Sequence, residues 1–174
     1  MKSKLLTVII AAACFIGCEK LAELANFDIK AQTSIQVNSS TILNTPFEIH
    51  TPGITTNSNE EFENKHTNAT LIKKVVLEEL KLTITNPNDK TFNFMKKIHV
   101  YISTDDNPEI ELAYLDVIPE NQDSITLVTS KENLMQFVKA TSYKLRTSIE
   151  TKETLTEATD IQVDMKFNVT AGIL

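Results

Sequence analysis

The chain has no tryptophan, three glycines, five prolines and two cysteines in 174 residues. Both cysteines, Cys14 and Cys18, fall near the N-terminus. Everything after residue 18 is therefore without a disulfide of its own, and stability there has to come from an apolar core. The same scarcity excludes a Cys-rich zinc site, and His50, His66 and His99 stand in unrelated segments. Arg146 is the only arginine, and the formal net charge is −6. The basic pairs Lys73-Lys74 and Lys96-Lys97 are isolated, with no basic stripe between them. That excludes nucleic-acid binding, which needs a clustered basic face. No glycine-rich phosphate loop and no Gly-x-Ser-x-Gly elbow occurs, so no cofactor and no enzyme activity are expected. Two carboxylates facing one another across a cleft leave no sequence signature, so a cryptic hydrolase stands as an alternative.

What is present begins with the first twenty residues. Lys2 and Lys4 precede an apolar run from Leu5 to Gly17, and the chain turns polar at Cys18-Glu19-Lys20. The run is shorter than the roughly 20 residues a transmembrane helix needs. It fits the apolar region of a secretory signal, with the lysines holding its start on the cytoplasmic side. Phe15-Ile16-Gly17-Cys18 resembles the lipobox of bacterial lipoproteins, in which a small residue precedes a cysteine. The resemblance implies that Cys18 is lipidated and that residues 1–17 are removed as a signal peptide. Gly17 is the matching small residue; Phe15 and Ile16 depart from the usual pattern. Ala11-Ala12-Ala13-Cys14 is a rival box with smaller residues but a shorter apolar run before it. Removing the leader takes Lys2 and Lys4 and no acid, so the body moves from −6 to −8. Residues 18–26 then read as a lipidated N-terminus and tether, too short for a stable helix.

Residues 27–174 read as one domain. Phe27, Ile29, Ala31, Thr33, Ile35 and Val37 alternate with polar residues, which predicts a half-buried strand. Further strands are predicted at Phe47–His50, Val75–Thr85, Ile98–Ile102, Glu109–Leu115, Ile125–Val128, Tyr143–Ile149 and Ile161–Val169. In the strand Val75–Thr85, Val76, Leu80, Leu82 and Ile84 are expected on the inner face. Asn86-Pro87-Asn88-Asp89, Asp105-Asp106-Asn107-Pro108 and Pro119–Asp123 supply turn chemistry. Two short helices are expected. One opens on a Ser58–Glu61 capping box and anchors Phe62; the other opens on Thr129 and Glu132 and buries Leu134, Phe137 and Val138. Phe92 and Phe94 are expected to plug one end of the core. The absence of strand–helix–strand spacing leaves an all-β antiparallel sandwich of about eight strands with two helical plugs.

Leu80–Pro87, Phe92-Asn93-Phe94, Ile98–Ile102 and Asp164–Thr170 resemble the corresponding stretches of small Bacteroidota-type envelope lipoproteins with an immunoglobulin-like body. The resemblance implies a fold and a location and carries over no active residue. Asp123-Ser124-Ile125 resembles the O-glycosylation signal of such envelopes, with Ser124 as the acceptor. Asp105, Asp106, Asn107 and Glu109 supply oxygen ligands of the kind calcium takes, but without the glycine and distal glutamate of a calcium loop, and a plain hairpin turn uses the same residues. The expected protein is attached to the outer membrane of the cell envelope through its N-terminal lipid, on either face. Its expected role is a non-enzymatic binding or structural module with an envelope protein or glycan as partner. An accessory part in nutrient capture or surface adhesion is the alternative.

Overall fold

The computed structural model describes residues 26–39 and 42–172. The leader, Cys14, Cys18 and residues 18–25 lie outside the described residues. Among the described residues ten strands form: β1 (Asn26–Val37), β2 (Phe47–His50), β3 (Ile54–Thr55), β4 (Ile72–Asn86), β5 (Met95–Ser103), β6 (Ile110–Leu115), β7 (Ser124–Thr126), β8 (Val128–Thr129), β9 (Ser142–Thr151) and β10 (Thr159–Ala171). Helices α1 (Ser58–Asn64) and α2 (Met135–Val138) and a 3-10 turn at Phe92–Phe94 complete the fold. Sheet I has the order β1-β10-β4-β7, and sheet II the order β2-β9-β5-β6-β8 with β3 on β9. Every pairing is antiparallel. The expected all-β sandwich is what forms, with two more strands than the alternation alone indicates.

The extra strands come from short pairings that carry little hydrophobic pattern. β3 is two residues long, on Tyr143 and Ser142. The predicted strand Ile125–Val128 is split. Leu127 is buried and donates its N–H to the Leu80 carbonyl, so Ser124–Thr126 stays on sheet I while Val128 crosses to sheet II. This one segment closes that side of the sandwich.

The inward faces build the core. β10 contributes Ile161, Val163, Met165, Phe167 and Val169, all buried, and sits between β1 and β4 in the middle of sheet I. Ile98, Val100 and Ile102 face them from β5. Burying each such side chain contributes roughly 1.5–3 kcal/mol. Phe92 and Phe94 stack at 6.3 Å and plug one end, as the sequence indicates. Phe62 of α1 is buried and meets the edge of Phe27 at 6.2 Å.

Three local expectations are corrected. Val76 is not an inner residue: Val75 and Leu77 are buried in its place. The ladder pairs Phe167 with Leu77 and Lys166 with Glu79, which leaves Glu78 as an extra residue, a β-bulge. The bulge reverses the alternation on its N-terminal side. Neither capping box forms. Asn57, not Ser58, precedes α1, and Ser58 is itself helical and buried. Thr129 lies in β8, six residues before α2. The α2 entrance is held by Asn133, whose Oδ1 accepts from the Met135 and Val75 N–H groups at 3.2 Å each. That choice fixes α2 against the start of β4, which a Thr129 cap would not do.

Candidate binding face on sheet II

The two outer faces are built alike by alternation but differ in chemistry. On sheet I the outward residues, Val76 apart, are mainly amides, hydroxyls and charges, many of which pair with one another. Gln32 donates to Asp164 at 2.7 Å, Gln36 to Asp160 at 2.6 Å, and Asn168 to Asp28 at 3.0 Å. Lys166 bridges Asp28 and the bulged Glu78 at 3.0 and 2.8 Å. A shallow depression of about 610 Å³ lies among Lys30, Gln32, Glu79, Lys81, Asp164 and Lys166, with no aromatic group in its lining.

Sheet II carries aromatic rings on its wet face. Ile98, Val100 and Ile102 point inward, so His99 and Tyr101 point outward. Cross-strand pairing sets Tyr101 beside Arg146 of β9 and His99 beside Tyr114 of β6. The Arg146 guanidinium lies 4.0 Å over the Tyr101 ring. The His99 ring runs nearly parallel to Tyr101, at 6.4 Å and 17°, and to Tyr114, at 5.8 Å and 21°. Arg146, Tyr101, His99 and Tyr114 thus form a continuous band of flat groups across three strands.

Carboxylates border the band. Arg146 Nε and Nη2 donate to Glu109 at 2.9 and 2.6 Å, and Nη1 donates to Glu48 at 2.6 Å. His99 lies between two acids: Nδ1 is 2.6 Å from Glu111 and Nε2 is 3.1 Å from Asp116. His50 is 3.4 Å from Glu48. A second bulge makes this possible. Val100 pairs with Ala113 and Tyr101 with Glu111, leaving Leu112 as the extra residue. Leu112 and Ala113 are both buried. Glu111 and Tyr114 are three positions apart, so strict alternation would put them on opposite faces. The bulge brings both to the outer face around His99.

Hydrogen bonds from amides and cations shift the acids. Donation from Arg146 holds the Glu109 carboxyl below its usual value, and Glu109 in turn raises Arg146. On sheet I, donation from Asn168 and then Lys166 lowers Asp28, and donation from Gln162 and then Gln32 lowers Asp164. A carboxyl whose folded-state pKa is depressed adds stability above its unfolded value, and loses it as pH falls through the folded value. The ordinary values are 3.8 for Asp28 and Asp164 and 4.5 for Glu109. The thermal midpoint should therefore hold from about pH 7 to about pH 5, then fall between about pH 4 and pH 2. A midpoint that rises over that acid range would contradict these assignments.

The remaining candidate residues lie elsewhere on the sandwich. Ser124 opens β7, half-buried, and its hydroxyl donates to the Leu82 carbonyl at 3.2 Å. Asp105 pairs with Lys144 at 2.7 Å, and Asn107 donates its N–H to Thr104 Oγ1, which is hairpin chemistry. No group of three or more His, Cys, Asp and Glu is arranged for a metal among the described residues. His50, His66 and His99 lie on β2, after α1 and on β5. Among the described residues no helix is long and apolar enough to cross a membrane. The band as a unit has no mark in the sequence. The available signal was aromatic: His99 and Tyr101 occupy outward positions of a strand whose wet face would otherwise be plainly polar.

No protein-family model matches the chain, and no curated protein matches it. Among solved structures, that of turnip yellow mosaic virus is 16% identical, covers 86% of this chain and 96% of its own, and has a TM-score of 0.27. That of tomato aspermy virus is 13% identical, covers 79% and 76%, and has a TM-score of 0.32. Desmodium yellow mottle tymovirus gives 12% identity, 85% and 84% coverage, and a TM-score of 0.26. Likeness at these scores carries no argument about this chain.

Proposed function

We propose that the chain is a lipid-anchored cell-envelope protein whose β-sandwich is a non-enzymatic binding module, and that the outer face of sheet II is its contact surface. The observation that carries the reading is the band of Arg146, Tyr101, His99 and Tyr114. Aromatic rings and arginine are the groups on which binding energy concentrates at interfaces. Here they are ordered beforehand: Arg146 is only 21% exposed and is tied to two carboxylates and a ring. Such ordering lowers the entropy cost of binding. Glu48 and Glu109 are engaged by Arg146, which supports a contact role for them over acid–base chemistry. The partner class is an envelope protein or glycan.

Pull-down from solubilised envelopes tests this with the full chain as bait. Tyr101→Ala combined with Tyr114→Ala should reduce recovery of the bound species by about tenfold or more. Lys81→Ala, on the opposite face, should leave recovery unchanged. If the wild type retains nothing, or the double variant retains as much as the wild type, the face is not a contact surface.

A further inference from the structure

The sheet edges of this fold are unequal. β7, at one edge of sheet I, is three residues long. In sheet II, β2 has four residues and β8 has two. Short edges are a standard protection against pairing with another chain. The remaining edge of sheet I, β1, has twelve residues. It pairs with β10 through its whole length without a register shift and contains no proline or glycine. Among the described residues it has no strand on its other side. Bulges, prolines and shortness, three of the usual guards of an edge, are missing from it, and the charges of Asp28 and Lys30 are the guards it keeps.

In both directions from Gln32 the strand carries the same pattern of inner and outer faces, with Ile29 and Ile35 an identical pair. Antiparallel pairing of two copies centred there sets Phe27 against Val37, Ile29 against Ile35 and Ala31 against Thr33 on the inner face. On the outer face it sets Asp28 against Gln36, Lys30 against Ser34, and Gln32 against its own counterpart. Like residues share a face throughout, as a pairing with period two requires. Lys30, the single cation of the strand, meets a hydroxyl and not another lysine. Phe27, Ala31 and Thr33 are half-buried at present, so a neighbouring strand would cover them.

We propose that β1 is a self-association edge, and that a second copy of this chain adds across it in the Gln32-centred antiparallel register. Sheet I would then run continuously through both copies about a two-fold axis. The contact is isologous, so it closes at two copies and does not grow into a fibre. Main-chain hydrogen bonds join the strands, and the alternating side chains set the register. This is independent of the proposed contact face, which lies on the other sheet.

The test uses the full chain in detergent solution. Light scattering should show a concentration-dependent dimer. Ser34 pairs with the neutral Gln162 within its own sheet, and the flanking Asp160 and Asp164 act alike in monomer and dimer, so the change in dimer affinity reads the charge across the new seam. Ser34→Lys opposes Lys30 twice and should weaken the dimer by about 2- to 30-fold; Ser34→Glu should strengthen it over a similar range. Gln32→Cys should cross-link under mild oxidation, because directly opposed Cα atoms lie about 4.5–5.5 Å apart, within disulfide reach. Gln36→Cys alone should not, since its two copies would stand about 27 Å apart. Mixing Gln36→Cys with Asp28→Cys should restore the cross-link. A monomer at every concentration would overturn the proposal. So would cross-linking by Gln36→Cys alone, or Ser34→Lys and Ser34→Glu acting in the same or the reversed sense.

Discussion

Phe167→Ala should lower the free energy of unfolding by about 3–5 kcal/mol. Phe167 is 1% exposed and sits in β10, the strand that β1 and β4 flank in sheet I. It pairs with Ile29 on one side and with Leu77 on the other. Its Leu77 pairing closes the bulge at Glu78, so the surrounding backbone is already committed to an irregular path and has little room to collapse into a cavity. The loss is large against a total stability of about 5–15 kcal/mol for a single domain. With no cysteine beyond Cys18, the body has no disulfide to offset it. Urea unfolding should show a lower midpoint with an unchanged slope. A change under about 1 kcal/mol would mean that the sheets repack freely there.

Cys18→Ser should move the protein from the membrane fraction to the soluble fraction. On the proposed reading, the Cys18 thiol receives the diacylglyceryl group and the new amino terminus receives a further chain. Each buried methylene contributes roughly 0.8 kcal/mol, and one chain alone binds only marginally, whereas two or more hold firmly. Serine at this position offers no thiol, so all of that energy is lost together. Cys14→Ser should leave the protein in the membrane fraction. If Cys14→Ser releases it and Cys18→Ser does not, the lipid is on Cys14. The β-sandwich should unfold at the same denaturant midpoint in the soluble variant, because its core is built from residues between Ile29 and Ala171.

Much of the fold is legible in the residues themselves. β1 and β10 are long half-buried strands, and their alternation marks them from Phe27 to Val37 and from Ile161 to Val169. Phe62, Phe92 and Phe94 stand alone in polar stretches, which marks them as anchors, and all three are buried. The departures have specific causes. An unbroken period of two running back from Leu80 turns Val76 inward, and the bulge at Glu78 breaks that period. Ser58-x-x-Glu61 and Thr129-x-x-Glu132 satisfy the capping pattern, yet α2 is set by Asn133 bonding to the Val75 backbone, 58 residues away. Val128 continues the apolar run from Ile125, and nothing local signals its change of sheet.

The candidate face is the least legible part. His99 and Tyr101 are outward by simple alternation on β5. Arg146, Tyr114, Glu48 and Glu109 come to them from other strands and a loop, and their meeting depends on the order β2-β9-β5-β6 and on the bulge at Leu112. Composition singles out Arg146 as the lone arginine but holds no hint that it lies over Tyr101.

By itself the sequence determined the class of the body. Period-two alternation with polar outer positions can bury an apolar face only by stacking sheets, and Asn, Asp and Pro turns keep the strands antiparallel. It also determined that the body must hold together by packing, since it has no cysteine. Tertiary structure alone decided which strands are neighbours and where the alternation is interrupted. Side-chain period encodes which face a residue takes and not which strand lies beside it, so partner choice is settled by the packing of the whole core. That choice placed Arg146 against Tyr101 and, among the described residues, left β1 at an edge of sheet I.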